Sequence, residues 1–412
     1  MPVPPDSPAG VDPPSNAFLP LPVPQSAEVG HGRLSGMRLA VKDVFDVAGL
    51  PTCGGSPFMS GGEAVDHAEC VGRLARAGAA IVGKTSMDEL AFSLMGRNKH
   101  YPSPRNWAAP TRLTGGSSSG SAAAVGANEA DIALASDTGG SVRAPASFCG
   151  LLGLRTSQGR ISMAGCLPLA PSFDTVGWFA TSPEAYLAAA QMLYGAPVAG
   201  EGPTRWVPLR CPTLDAYLSG RAAIEEFDRC AAIVLAQMDR EAAELDLGED
   251  PDTLYWCFRR LQAIEAWDIH GPFVSRHGAE MNEDVRERFE WGQSVAASEH
   301  GEAMRLRASF TGWIRDEIGP DGVLIIPTVP GPAPHVDASP AELTAFRERA
   351  LRLLCVAGLA GLPQLTLPLG TVDDAPFGLS LVAGHGRDLQ LLALGQRIME
   401  RTGARQAIAP KG

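Results

Sequence analysis

Two short loops carry the residues best suited to chemistry: Gly115-Gly116-Ser117-Ser118-Ser119-Gly120-Ser121 and the segment Asp137-Thr138-Gly139-Gly140-Ser141, whose serine lies 24 residues on from Ser117. Adjacent glycines let the backbone approach a bound group and adopt dihedrals closed to other residues. Successive N–H groups can then converge on one point and stabilise a carbonyl oxygen as it gains charge. A serine at the end of such a loop stands where a nucleophile for acyl transfer must stand. A flexible linker is the bland alternative for the first loop. It fits badly, because both flanks have core character and a second glycine loop follows.

Serine needs a base. The histidines lie at 31, 67, 100, 270, 277, 300, 335 and 385, and none sits in an H-E-x-x-H pattern. A Ser-His-Asp triad stays open on the residues alone, since its members need not be close in the chain. The stretch from Gly78 to Thr85 matches the phosphate-loop pattern G-x-x-x-x-G-K-[ST]. A phosphate loop requires strand, loop and helix in that order. Here a helical stretch comes first and the inner residues are apolar, so 79–85 reads as a buried strand. No metal-ligand cluster is apparent, and no cofactor is expected.

The string GGSSSGSAAAVGA, followed by ASDTGGSVRAPASFCGLLGLRTSQGRIS and preceded by LAVKDVFDVAG, resembles the amidase signature family. The similarity runs through most of 33–195 and resumes over 320–400. Within the family it leans toward the plant-type indole-3-acetamide hydrolases and their bacterial relatives. The resemblance implies a Ser–Ser–Lys triad. Ser141 would be the nucleophile that forms an acyl-enzyme, Ser117 (on a cis peptide bond) the proton relay, and Lys42 the base. It also implies oxyanion-hole amides from Thr138, Gly139, Gly140 and Ser141. Ser118, Asp137 and Arg143 would brace the loops. Pocket candidates are Phe92, Met95 and His100, together with the variable middle of the chain. The implied substrate is a small amide, an aryl-acetamide being the sharpest choice, cleaved to acid and ammonia. Two alternatives share the triad: a partner-dependent glutaminase subunit of an amidotransferase, and a hydrolase of carbamates or anilides. A catalytically dead binding module would be expected to lack triad residues, and all three are present.

These residues need elements to hold them. Residues 37–49 have strand character ending at a glycine turn. Residues 66–77 have helical spacing, with Cys70, Leu74 and Ala77 on one face. MDELAFSLMG (87–96) reads as a helix with Asp88 and Glu89 in its first turn. Residues 131–150 read as strand, glycine loop and a proline-interrupted segment. The middle, about 200–320, is rich in helix formers. Strands return at 322–331, 362–370 and 377–384, and an amphipathic helix covers 387–400. Alternating strands and helices predict an α/β fold. The resemblance makes it a large mixed β-sheet flanked by α-helices, with one amidase domain over 31–412 behind a Pro-rich arm at 1–30.

Composition narrows the partners. The 412 residues are 45% hydrophobic and 19% charged, with a net charge of −12. That is a globular composition, and its sign argues against a nucleic-acid ligand. No run of about 18 apolar residues predicts a membrane span. Eight cysteines without a C-x-x-C pair, and no signal-peptide pattern at the start, predict reduced core thiols in a cytoplasmic protein. A homodimer would be in keeping with soluble enzymes at large.

Overall fold

A computed structural model describes residues 14–23, 31–59, 61–195, 205–238 and 240–410. The first half alternates β1 (Arg38–Lys42), α1 (Glu69–Arg76), β2 (Ala80–Thr85), α2 (Ser119–Gly126), β3 (Ile132–Asp137), α3 (Arg143–Cys149), β4 (Gly153–Arg155), β5 (Thr175–Ala180) and α4 (Pro183–Tyr194). The middle holds β6 (Val207–Arg210), α5 (Pro212–Asp215), α6 (Arg221–Leu235), β7 (Ala243–Glu244), α7 (Pro251–His277), α8 (Glu283–Ser294) and α9 (Ala297–Ile318). The chain closes with β8 (Gly322–Pro327), α10 (Pro340–Ala360), β9 (Gln364–Val372), β10 (Ala375–Ala383) and α11 (Asp388–Thr402).

The α/β class holds, but the sheet comes in two parts: four strands in the order β2-β1-β3-β5, and six in the order β4-β9-β10-β8-β6-β7. They meet where β4 lies beside β5. Side chains stitch that junction in place of a backbone ladder. Tyr186 Oη accepts from the Leu154 amide at 2.8 Å, and Thr156 Oγ1 donates to the Val176 carbonyl at 2.8 Å. Gly177 allows the approach, since a Cβ there would fall 2.7 Å from the Leu154 carbonyl oxygen.

Strand β1 runs parallel to both β2 and β3. Its Leu39, Ala40 and Val41 are buried, as expected of a strand covered on both faces. Parallel pairing places the carboxyl ends of β1 and β3 at one edge of the sheet. That edge is where open α/β sheets bind their ligands. Lys42 ends β1, and the Asp137–Ser141 loop leaves β3 there.

The sequence reading of 79–85 as a strand agrees with β2. Its Lys84 is buried in an ion pair with Asp43 at 2.8 Å, far from any phosphate-cradle geometry. The described part of the arm, 14–23, packs against β2: the Leu19 amide donates to the Lys84 carbonyl at 2.9 Å. The rest of the arm lies outside the described residues.

The expected helix over 87–96 is not formed. Only Glu89–Ala91 make a single 3₁₀ turn, and Leu90 and Ala91 have φ of 48° and 59°. Local propensity yields here to tertiary bonds. The Leu90 amide donates to the Gly54 carbonyl at 2.7 Å. Glu89 turns inward to accept from His100 and from the Asn282 amide. Asp88 accepts from the Gly96 amide at 3.0 Å.

Candidate active site

Lys42 reaches the first glycine/serine loop. Its Nζ lies 2.8 Å from Ser117 Oγ, 2.9 Å from Ser118 Oγ and 2.9 Å from Ser136 Oγ. The side chain is fully buried and has no carboxylate partner in ion-pair contact among the described residues. Burial penalises its ammonium form and lowers its pKa to about 8; Asp88 is the first of the charges that oppose the fall. A lysine that loses its proton near neutrality can serve as a base. Ser118 is held by donating to the Ser136 carbonyl at 3.2 Å. The Gly116–Ser117 peptide bond is cis. Ser119 to Ser121, read as loop from sequence, already belong to α2.

The second loop turns around one carboxylate. Asp137 accepts from the Gly140 amide at 2.9 Å and the Val142 amide at 3.0 Å. Arg143 donates to it through Nε at 3.0 Å and Nη2 at 2.8 Å. Arg155 adds a bond at 3.1 Å and also donates to the Asp137 and Thr138 carbonyls. Burial alone would raise the Asp137 pKa, but Arg143 and then Arg155 hold it well below the usual carboxylate range. Asp137 and Arg143, expected to brace the loops, are bonded to each other and to the loop backbone. Gly140 differs from expectation, since its N–H is already engaged by Asp137. The amides of Thr138, Gly139 and Ser141 have no acceptor among the described residues. Thr138 Oγ1 donates to the buried Asp174 at 2.5 Å. Ser141 is 4% exposed, and its hydroxyl makes no hydrogen bond among the described residues. The geometry therefore joins Lys42 to Ser117 directly and leaves Ser141 Oγ without a partner among the described residues.

The pocket candidates separate. Met95 lines a cavity of about 490 Å³ together with Ser93, Asn282, Arg288, Leu343 and Arg347. Phe92 does not line it. It packs edge-on against Phe289, with ring centroids 4.8 Å apart. His100 is bonded to Glu89 at 3.1 Å and meets Phe58 edge-on. Lys42, Ser117 and Ser141 are not in the cavity wall. Leu94, between the wall residues Ser93 and Met95, accepts from the Gly116 amide at 2.9 Å.

Sequence reasoning missed Ser136, Arg155, Asp174 and Asp88. The first two had a signal in hand. Ser136 immediately precedes the Asp137 loop on β3, and Arg155 falls inside the GLRTS stretch already singled out. Asp88 was masked by the helical reading of its segment. It is buried, and burial raises its pKa to about 6 against the hydrogen bonds it receives from the Gly96 amide and the Ser93 side chain.

No group of His, Cys, Asp and Glu suited to a metal ion occurs among the described residues. No helix among them is long and apolar enough to cross a membrane. All eight cysteines are free.

Residues 24–196 match the sequence profile of the family described as Amidase. The chain is 33% identical to Amidase 1 of Arabidopsis thaliana, covering 90% of this chain and 94% of that protein. It is 30% identical to the indoleacetamide hydrolase of Pseudomonas savastanoi, covering 94% of this chain and 89% of that one. A solved structure described as an amidase superposes with a TM-score of 0.82 at 31% identity, over 90% of this chain and 86% of the other.

Proposed function

The chain belongs to the amidase signature family of amide hydrolases, and from that premise we propose that it cleaves a small primary amide, of the aryl-acetamide type, to a carboxylic acid and ammonia. The observation that carries this reading is the buried Lys42 amine, 2.8 Å from Ser117 Oγ, with no carboxylate in ion-pair contact among the described residues.

In this reading neutral Lys42 draws the proton from Ser117, which in turn takes the proton of Ser141 as Ser141 Oγ attacks the amide carbon. The carbonyl oxygen becomes an oxyanion held by the amides of Thr138, Gly139 and Ser141. Gly140 shapes the turn while Asp137 grips its N–H. As the tetrahedral centre collapses, the C–N bond breaks and Ser117 donates a proton to the departing nitrogen, releasing ammonia. Water then adds to the acyl-Ser141 ester, giving up its proton along the same relay, and the acid leaves. The eight unpaired cysteines suit a reducing, cytoplasmic setting.

Ammonia release from indole-3-acetamide, phenylacetamide and glutamine, with Ser141→Ala as control, tests this. Turnover of the aryl-acetamides that disappears in Ser141→Ala is the expected result. Turnover that survives Ser141→Ala sinks the mechanism. Activity on glutamine alone, appearing only with partner subunits, would favour the amidotransferase alternative.

A further inference from the structure

Arg347 lies on α10 in the wall of the 490 Å³ cavity. It is 6% exposed, and its Nε is buried without a hydrogen-bond partner. No carboxylate and no carbonyl among the described residues pairs with its guanidinium. Buried arginines are almost always paired, so this one stands out. The nearby Asp284 pairs with Arg288 at 2.5 Å and makes no hydrogen bond to Arg347. Among the charged residues of the wall, Arg97, Lys99, Arg288 and Arg347 outnumber Glu283 and Asp284. Lys99 and Arg97 are bonded to the Met281 and Val336 carbonyls, which satisfies hydrogen bonding but leaves their charge uncancelled. The cavity therefore has a positive lining with one buried fork of donors left open.

Arg347 also shares its helix with a residue that packs on the second loop. Seven residues further along α10, Leu354 lies against the nucleophile loop: its Cδ1 is 2.5 Å from where a Cβ on Gly140 would sit. Seven residues are about 10 Å of helix rise. The opposite wall, Ser93 and Met95, flanks Leu94, which binds the Gly116 amide. The cavity wall is thus joined to the first loop through the 93–95 segment and to the second through α10.

We propose that Arg347 receives a carboxylate carried by the substrate, so that the amide cleaved is one bearing a second, acidic group at the end remote from the scissile bond. The planar guanidinium matches a carboxylate through two parallel hydrogen bonds, a fit that lysine cannot reproduce. This inference rests on the amide-hydrolase reading and narrows its substrate.

Matched pairs test it: phenylacetamide against 4-carboxyphenylacetamide, and hexanamide against adipamic acid. The carboxylated member of each pair should show kcat/KM higher by about tenfold or more. In Arg347→Gln the ratio should fall to near one, with the loss on the KM of the acidic member, and Arg347→Lys should restore it only in part. Independently of turnover, 4-carboxyphenylacetate should bind saturably to Ser141→Ala by calorimetry, and not to the Ser141→Ala/Arg347→Gln double variant. Equal turnover of both members in the unaltered protein would overturn the carboxylate site while leaving the amide-hydrolase reading intact. Binding that persists without Arg347 would overturn it as well. Loss of all amide turnover, with the dicarboxylate still bound through Arg347, would instead sink the hydrolase reading alone.

Discussion

Asp88 and Gly116 share a space that admits no further carbon. A Cβ built on Gly116 would stand 2.2 Å from Asp88 Oδ2. The peptide that presents Ser117 to Lys42 is thus pressed against a buried carboxyl group.

Gly116→Ala should accordingly displace either Asp88 or Ser117. With Ser117 only 2.8 Å from Lys42, a shift of about 1 Å would cost on the order of 100-fold in kcat/KM. Steady-state amide hydrolysis checks this, with far-UV circular dichroism to verify that the fold survives. Retention of full activity would mean the contact is irrelevant to Ser117.

The same carboxyl gives a stability prediction. Burial raises its folded pKa to about 6 from 3.8. The folded state therefore favours the protonated form. That stability is present below the unfolded pKa and is lost as pH rises through 6, about 3 kcal/mol in all. Asp88→Asn, which carries no charge, should be more stable than the parent protein at pH 8, with the gap closing by pH 4. Urea unfolding at the two values measures it, and a gap independent of pH would count against an ionising Asp88.

Activity should rise with pH through the ionisation of Lys42. Its pKa is lowered to about 8, and only the neutral amine can accept the Ser117 proton. The pH profile of kcat/KM should show an ascending limb near 8. Asp88 opposes that lowering, so Asp88→Asn should move the limb to lower pH. A limb that stays in place would separate the two groups.

Asp137 is the counter-charge of two fully buried arginines, Arg143 and Arg155. Asp137→Asn leaves both cations short of an anion and should cost about 3–5 kcal/mol. The ionised carboxylate is favoured in the folded state. Its contribution is therefore present above the unfolded pKa and lost as pH falls below the ordinary carboxylate range. Urea midpoints at pH 7 and pH 3 should show a large difference that shrinks on acidification.

Much of this site was legible before any coordinates. Lys42 closes a strand, and the two glycine loops are local features that a linear reading can see, so their residues fall where the loops place them. The strands at β2, β8, β9 and β10 were equally plain, because apolar runs bounded by Gly and Pro dictate them locally. The segment around Asp88 was misread for the opposite reason. Met, Glu, Leu and Ala favour a helix, yet bonds to Gly54, Gly96 and Asn282, distant in the chain or beyond a turn, hold Leu90 and Ala91 in left-handed backbone. The split of the sheet was invisible for a related reason. It depends on Tyr186 and Thr156 occupying positions where a ladder could have formed. Arg347, one of several arginines along α10, carries no linear mark of lacking a partner.

The cavity wall is drawn from 93–103, Asn282, α8 and α10, whereas the groups proposed to react come from β1 and the loops at 115–121 and 137–141. If the cavity receives the acyl group as proposed, mutational drift can alter which acyl groups are admitted without touching the residues proposed to break the bond. For protein engineering, saturation libraries at Met95, Leu343 and Arg347 are the economical place to search for new selectivity.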